Sequence, residues 1–229
     1  MSSGILYLVA TPIGNMADIS GRAVETLRNC DIVACEDTRS ALHVLKKYEI
    51  EKRMIVYEDS RESRVAPQLL EELKSGKNIA LISDAGMPCI SDPGFRIVRL
   101  CRQEEISVVP VPGANAVIAA LAASGLPSHA FLFLGFLPAK TSARKNCFEK
   151  YKNFECTLAF YESTHRIEKF VDDALEILGE HRFICVAKEL TKLHERFFIG
   201  PIGEVKKELS SANTNGEFVV LIASEGYVL

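Results

Sequence analysis

Short apolar segments that read as strands alternate with segments of helical periodicity along the first half of the chain. The strand-like runs fall at residues 5–10, 31–35, 54–57, 78–83 and 106–111. Apolar residues recur every three or four positions around 20–30, 38–48, 62–75, 93–104 and 114–124. This regular alternation predicts a sheet rich in parallel strands, with helices on both of its faces.

Several helix ends are marked by residues that favour them. Ser20 and Ser60 are placed to cap the first and third helices, because a hydroxyl can accept a hydrogen bond from a free backbone N–H. Asp92 and Pro93 predict a cap and the first residue of the fourth helix. Gly125 is placed to end the fifth helix, since glycine readily adopts the left-handed conformation found there.

The pattern changes after residue 125. Helical spacing returns at 141–152 and 165–178, and strand-like runs lie at 156–161, 183–188, 195–199 and 217–223. The connecting segment contains FLFLGF, which is itself strand-like. We therefore predict two α/β domains, residues 1–125 and 126–229.

The composition is that of a soluble globular protein, with 48% hydrophobic and 25% charged residues among 229. No apolar run approaches the roughly 20 residues that span a bilayer, and residues 1–4 lead into a strand without a signal segment. The seven cysteines form no C-x-x-C pair and are expected to be reduced and buried. A cytoplasmic location follows, with no membrane partner. The histidines lack metal-ligand spacing, so no metal site is expected.

The formal net charge of −3 argues against a protein that coats nucleic acid without specificity. Positive charge is concentrated beyond residue 140, where it could serve an anionic substrate or belong to solvated helix faces. The residues concerned are Arg144, Lys145, Lys150, Lys152, His165, Arg166, Lys188, Lys192 and Arg196.

Three apolar segments run directly into loops rich in glycine and proline. They are LYLVATPIGN (6–15), ALISDAGMPCISDPG (80–94) and VVPVPGANA (108–116). Such loops bring bare backbone N–H and C=O groups to one rim of a sheet, where open α/β sheets bind ligands. Any α/β domain also needs turns, but three such loops at equivalent positions favour a binding site.

The loops suit a cofactor that is cationic and lacks phosphate. Neither a P-loop nor a G-x-G-x-x-G turn is present. Carboxylates, which repel phosphate and attract cations or hydroxyls, occupy Glu36, Asp37, Asp84 and Asp92. Apolar surface is offered by Ile13, Met87 and Ile90. S-adenosylmethionine fits this description.

At this point the motifs resemble those of the tetrapyrrole methylase superfamily, and within it the methyltransferases that modify ribose in 16S ribosomal RNA. The resemblance rests on LYLVATPIGNMADIS (6–20), VACEDTR (33–39), ISDAGMPCISDPG (82–94), PVPGANA (110–116), GFLP (135–138), YESTHR (161–166), KELTKLHE (188–195) and GEFVVLI (216–222). These motifs cover nearly the whole chain in the expected order.

The resemblance implies two α/β domains with S-adenosylmethionine in the cleft between them, usually in a homodimer. It implies 2′-O-methylation of a cytidine in the decoding region of 16S rRNA in the 30S subunit. By motif position, cofactor contacts from the first half would be Ile13, Asp84, Gly86, Met87, Ile90, Asn115 and Ala116. The second half would add Tyr161, Leu190 and Gly216.

A ribose hydroxyl must lose its proton during transfer, so a nearby carboxylate, histidine or lysine could accept it or stabilise the developing charge. The candidates are Asp37, Glu162, His165, Lys188 and Glu189. Structural alternatives stay open, because Asp37 could cap the second helix and Glu162 could be a helix-end charge. RNA contacts are expected from Arg39, Arg166 and Lys192.

Two other functions are compatible with the motifs. Methylation of a tetrapyrrole ring carbon would use the same cofactor, but corrin and porphyrin methylases favour a GAGPGD-like first loop where this chain has ATPIGN. A non-catalytic RNA-binding factor would tolerate damaged cofactor loops, whereas these loops are intact. Both observations favour an RNA methyltransferase.

Overall fold

The computed structural model describes residues 3–229; Met1 and Ser2, the start of the first predicted domain, lie outside the described residues. The chain divides into two compact units, one ending at Asn115 and the other beginning at Ala116. Each unit is built around one five-stranded sheet.

The sheet of the first unit is entirely parallel, as the alternating pattern predicts. Its strands are β1 (Leu6–Val9), β2 (Ile32–Cys35), β3 (Arg53–Val56), β4 (Ile79–Ile82) and β5 (Val108–Val111). Their spatial order is β3-β2-β4-β1-β5. Strands β2 and β4 are buried along their whole length because helices cover both faces of the sheet.

Four helices cover this sheet: α1 (Gly21–Asn29), α2 (Thr38–Lys47), α3 (Glu62–Lys74) and α4 (Phe95–Gln103). Helices α1 and α2 pack on one face, where Leu27 and Leu45 meet Val33. Helices α3 and α4 pack on the other, where Leu69 and Ile97 are fully buried. Two short 3-10 turns, Met16–Asp18 and Asp59–Arg61, lie in the connections.

The order of the strands creates a switch point between β1 and β4. After β1 the chain crosses by α1 toward β2, whereas after β4 it crosses by α4 toward β5 on the opposite side. The two adjacent strands therefore send their following loops in opposite directions. In open α/β sheets, ligands bind in the crevice that this reversal opens at the carboxyl ends of the strands.

The second unit contains a mixed sheet. Its strands are β6 (Phe131–Phe136), β7 (Thr157–Ser163), β8 (Phe183–Lys188), β9 (Arg196–Pro201) and β10 (Glu217–Ile222), in the order β6-β7-β10-β8-β9. Only β6 and β7 are parallel neighbours; the other pairs are antiparallel. Its helices are α5 (Ala116–Ala123), α6 (Thr141–Tyr151), α7 (Ile167–Leu178) and α8 (Ile202–Ser210).

Helices α6, α7 and α8 cover one face of this sheet. Phe148, Phe160 and Phe170 form a buried cluster of edge-to-face rings there. Helix α5 contacts β7 and β10, which explains why residues 116–123 group with the second unit although the sequence pattern assigns them to the first domain. The seven cysteines form no disulfide, and four of them are buried.

One predicted helix cap is confirmed and two predicted helix starts are wrong. The Ser20 cap is confirmed, because its side chain accepts a hydrogen bond from the Ala23 N–H. Ser60 does not cap α3, since it lies in a 3-10 turn that precedes the helix. Asp92 and Pro93 do not begin α4 either: the helix starts at Phe95, after Gly94 with φ 144°. Helix α8 was not predicted, because its apolar positions lie between two strand-like runs.

A buried ion pair joins α6 to α7. The Arg144 guanidinium is almost fully buried and donates from Nε to Asp173 Oδ2 at 2.7 Å. The same guanidinium donates to the carbonyl of Ala139. Arg144 therefore holds two helices and the preceding loop together and is not part of a basic surface patch.

We predict that Asp173→Ala destabilises the protein by about 3–5 kcal/mol, because it leaves the buried Arg144 charge unpaired. Glu149→Ala is the matched control, since it removes the exposed Glu149–Lys152 pair and should cost only about 0–1 kcal/mol. Urea unfolding of both variants measures the difference. Equal losses would contradict this role of Arg144.

Candidate functional site

The loops after β1 and β4 are hydrogen-bonded to each other beside the switch point. The Thr11 N–H donates to the Gly86 carbonyl at 2.9 Å, and the Gly86 N–H donates back to the Thr11 carbonyl at 3.1 Å. The buried Thr11 hydroxyl also donates to the Ser83 carbonyl at 3.1 Å. The two loops therefore hold one fixed geometry. Sequence reasoning did not single out Thr11 or Ser83, although both lie within the Gly/Pro-rich segments.

Gly86 is the point at which the three predicted loops approach one another. Its φ is +82°, and a Cβ there would lie 3.3 Å from Ile13 Cγ2 and 3.6 Å from the Ala114 carbonyl oxygen. A larger residue would therefore press on both neighbouring loops. The structure brings the Ile13 loop, the Gly86 loop and the segment before Asn115 together, as the sequence predicts for a binding rim.

Carboxylates crowd this rim. Burial, followed by the charges of Glu36, Asp84 and Asp59, raises the pKa of Asp92 to about 7. Burial and the neighbouring acids also raise the pKa of Glu36. The rim therefore attracts cations and hydroxyl groups and repels phosphate. Asp59 was missed by sequence reasoning because no glycine or proline marks the loop after β3.

Apolar groups accompany these carboxylates in the loop after β4. Ile90 is exposed, and Met87, which follows Gly86 in sequence, is half-buried. Asp84, which directly follows the buried Ser83, is exposed. The loop thus combines charge with apolar surface, the combination expected of a site for an organic cation.

Asp37 adopts the capping role that the sequence left open. Its carboxylate accepts a hydrogen bond from the Arg39 N–H at 2.8 Å, at the first turn of α2. It also accepts from the Arg39 Nε, and these hydrogen bonds lower the pKa of Asp37. The Arg39 side chain remains 89% exposed. Asp37 therefore holds Arg39 beside the rim.

Glu162 and Arg166 form a pair at the start of α7. Glu162 is 2% exposed and accepts a hydrogen bond from the Ser163 N–H at 2.8 Å. The Arg166 Nε lies 3.2 Å from Glu162 Oε1, and its Nη2 donates to the Leu137 carbonyl. His165, between them in sequence, is exposed. Tyr161 contacts the rings of Phe133 and Phe136.

Two further segments of the second unit meet at Gly216. Its φ is +133°, and a Cβ would lie 2.6 Å from Glu189 Cγ. Thr164 Oγ1 donates to the Gly216 carbonyl and accepts from the Gly216 N–H at 2.7 Å. Thr164, which sequence reasoning did not select, therefore fixes Gly216 against the YESTHR segment. Leu190 is buried next to Glu189.

The two lysines predicted for this region are engaged in internal contacts. Lys188 is buried, and its Nζ donates to the Asn213 carbonyl. The Lys192 Nζ lies 2.9 Å from Glu189 Oε1 and 2.8 Å from Glu217 Oε2. The structure thus gathers Glu189, Lys192 and Gly216 in one place. Ala116 is the first residue of α5, directly after Asn115.

Among residues 3–229, no group of three or more His, Cys, Asp or Glu side chains is arranged to hold a metal ion. None of the helices in the same range has both the length and the apolar character needed to cross a membrane.

Comparisons with known proteins agree with this geometry. A model of the family described as Tetrapyrrole (Corrin/Porphyrin) Methylases matches residues 5–206. Ribosomal RNA small subunit methyltransferase I of Haemophilus influenzae is 49% identical over 222 residues, covering 96% of this chain and 78% of the relative. The protein of that name from Halalkalibacterium halodurans is 43% identical, covering 97% and 77%.

The fold also matches solved structures. A uroporphyrin-III C-methyltransferase from Thermus thermophilus, solved with S-adenyl homocysteine, superposes with a TM-score of 0.64 at 18% identity. The match covers 97% of this chain and 98% of that one. At 18% identity this similarity establishes the fold alone.

The raised pKa of Asp92 predicts a pH-dependent stability difference. The pKa of Asp92 is about 7 in the folded protein, against about 3.9 for an unfolded aspartate. Between pH 4 and pH 7 the unfolded state ionises more readily than the folded state, so the free energy of unfolding falls as the pH rises through this range. Asp92→Asn should therefore stabilise the protein by on the order of 2–4 kcal/mol at pH 8 and by much less at pH 4. Urea unfolding at the two pH values checks this.

The exposed Asp18, outside this group of carboxylates, provides the control. Asp18→Asn should unfold like the wild type at both pH values. A gain for Asp92→Asn that is the same at pH 4 and pH 8 would contradict the assignment of the raised pKa.

Proposed function

The chain belongs to the tetrapyrrole (corrin/porphyrin) methylase family, and from this membership we propose that it transfers a methyl group from S-adenosylmethionine to RNA of the small ribosomal subunit. The observation that carries the proposal is the 49% identity, across nearly the whole chain, to a ribosomal RNA small subunit methyltransferase I. The finer assignment, 2′-O-methylation of a cytidine in the decoding region of 16S rRNA, rests on the sequence motifs.

The rim of the first unit fits the proposed cofactor. The sulfonium is cationic and the cofactor lacks phosphate, which suits a rim where Asp84 stands among other carboxylates. The absence of a side chain at Gly86 lets the Ile13 loop pack closely against it, because a Cβ there would lie 3.3 Å from Ile13 Cγ2. We assign cofactor contacts in this unit to Ile13, Asp84, Gly86, Met87, Ile90 and Asn115.

The remaining cofactor contacts are proposed from the family resemblance. They are Ala116, Tyr161, Leu190 and Gly216. Two observations support their selection: Thr164 fixes Gly216 with two hydrogen bonds, and the Phe133 and Phe136 rings hold Tyr161. We also propose that the protein works in the cytoplasm as a homodimer.

When bound, S-adenosylmethionine supplies an electrophilic methyl group on sulfur. The residues around it must align the ribose oxygen with the S–C bond and exclude water, which can account for much of the acceleration. Rigid loops serve that alignment, and the Thr11–Gly86 hydrogen bonds provide the rigidity.

The five candidates for proton transfer differ in their contacts. Asp37 caps a helix, Lys188 is buried and hydrogen-bonded, and Glu189 pairs with Lys192. Glu162 is buried; its Oε1 accepts from the Ser163 N–H, and its Oε2 has no hydrogen-bond partner among residues 3–229. His165 is exposed and makes no hydrogen bond to the rest of the described chain. Histidine is the side chain that most often serves as a general base. We therefore propose His165 as the first of the five to substitute.

The test is methyl transfer from labelled S-adenosylmethionine to unmethylated 30S subunits, with uroporphyrinogen as a parallel acceptor. Nuclease mapping locates the label. Label on a ribose of 16S rRNA is the expected result. Label in the tetrapyrrole would establish ring methylation instead, and label in neither acceptor would contradict both activities.

Gly86→Ala should weaken S-adenosylmethionine binding at least about tenfold, because the new Cβ strains the backbone and presses on Ile13. Gly179→Ala is a matched control: Gly179 has a similar φ of +86° but open space around it. Both variants place a side chain at a positive φ, so both should lose stability, and Gly86→Ala should lose more because its Cβ also presses on Ile13. Titration calorimetry should find lost affinity only for Gly86→Ala; unchanged affinity would argue against the rim as the cofactor site.

A further inference from the structure

Most of the positive charge noted beyond residue 140 is paired with acidic side chains of the same chain or is buried. Arg144 pairs with Asp173, Lys145 with Glu176, and Lys152 with Glu149. Lys192 and Arg196 pair with acidic side chains, and Lys188 is buried. A surface that attracts RNA phosphates must therefore draw on other cations.

Helix α4 carries such cations on its exposed face. Arg96, Arg99 and Arg102 are exposed and follow one another at three-residue intervals, the spacing that places helix residues on one side. The side chains of Arg99 and Arg102 make no ion pair and donate no hydrogen bond within residues 3–229. Phe95 begins the same face and is 67% exposed. Arg96, in contrast, is ion-paired with Glu62. The face is therefore basic, carries two arginines without ion pairs, and begins with an exposed aromatic ring.

A groove of about 540 Å³ lies beside this face, between α3 and α4. Pro67 lines one wall and Phe95, Arg96 and Arg99 line the other. The acidic residue of the groove, Glu62, is turned inward: its Oε1 accepts from the Tyr57 hydroxyl at 3.0 Å and from the Gly94 N–H at 2.8 Å. Its Oε2 lies 3.3 Å from the Arg96 Nε. Glu62 therefore holds the start of α4 in place and offsets the charge of Arg96, whereas Arg99 keeps its charge in the groove.

The chemistry of this surface matches a sugar-phosphate backbone. Arginine guanidinium groups form paired hydrogen bonds to phosphate oxygens, and an exposed aromatic ring can stack on an unpaired base. The position also fits, because Phe95 follows the loop 83–94 that forms the candidate cofactor rim. RNA bound along α4 would therefore approach that rim at the Phe95 end of the helix. Its phosphates would contact the arginines, because the carboxylates of the rim repel them.

We propose that the exposed face of α4, formed by Phe95, Arg96, Arg99 and Arg102, together with the α3–α4 groove, binds the backbone of the RNA substrate. The inference rests on the proposed function and names the surface by which the same enzyme holds its RNA. The principal phosphate contacts would then come from α4, in the first unit, and not from Arg39, Arg166 or Lys192.

The test compares Arg99→Glu/Arg102→Glu with Lys46→Glu/Lys47→Glu. The second pair makes the same change in net charge and also removes exposed cations from the last turn of a helix. Binding to unmethylated 30S subunits is measured by filter retention across a salt series, and S-adenosylmethionine binding by calorimetry. The α4 variant should bind subunits at least about tenfold more weakly, with a salt dependence reduced by roughly 1–2 in logarithmic slope.

The α2 control should bind subunits like the wild type, and both variants should keep wild-type affinity for S-adenosylmethionine. If the wild type methylates 30S subunits but the α4 variant binds them as well as the control, the proposed surface is wrong. A change in oligomeric mass of the α4 variant, measured by light scattering, would also overturn it by making this face a contact between copies. Failure of the wild type to methylate RNA would instead count against the proposed function.

Discussion

The candidate site depends on the pair of backbone hydrogen bonds between Thr11 and Gly86. Strands β1 and β4 are neighbours in the sheet, but their following connections leave in opposite directions. Without a link, two loops that diverge in this way would have independent conformations. The reciprocal hydrogen bonds, supported by the Thr11 hydroxyl on the Ser83 carbonyl, join them. Every side chain assigned to the rim after β1 and β4 is positioned by this link.

The order of the strands explains the electrostatic character of the rim. Strand β2 lies beside β4 and β3 beside β2, so the loop that holds Asp84 and Asp92 lies near Glu36 and Asp59, which follow β2 and β3. Mutual repulsion and burial leave Asp92 with a pKa near neutrality. Such crowding costs stability and is common at functional sites. A cationic ligand would relieve part of this repulsion.

A rim of this charge cannot also attract RNA. The substrate phosphates need a separate basic surface, and the distribution of ion pairs decides where it lies. In the second unit most arginines and lysines that sequence reasoning noted are paired or buried, as Arg144 and Lys192 illustrate. Helix α4, which begins directly after the rim loop, presents two arginines without ion pairs, Arg99 and Arg102. Cofactor and RNA would thus be attracted by adjacent surfaces of opposite charge.

The sequence by itself determined the alternation of strands and helices, the Ser20 cap and the loops in which Gly86 and Ile13 lie, because these depend on local periodicity and turn chemistry. It also contained the motifs that identify the family. Only the tertiary structure decided that α4 begins at Phe95, that Arg144 pairs with Asp173 and that Lys192 pairs with Glu217. Those outcomes depend on which charged groups meet across the fold. Periodicity reports which face of a segment is apolar, but the partner of a charge is set by residues far away in sequence.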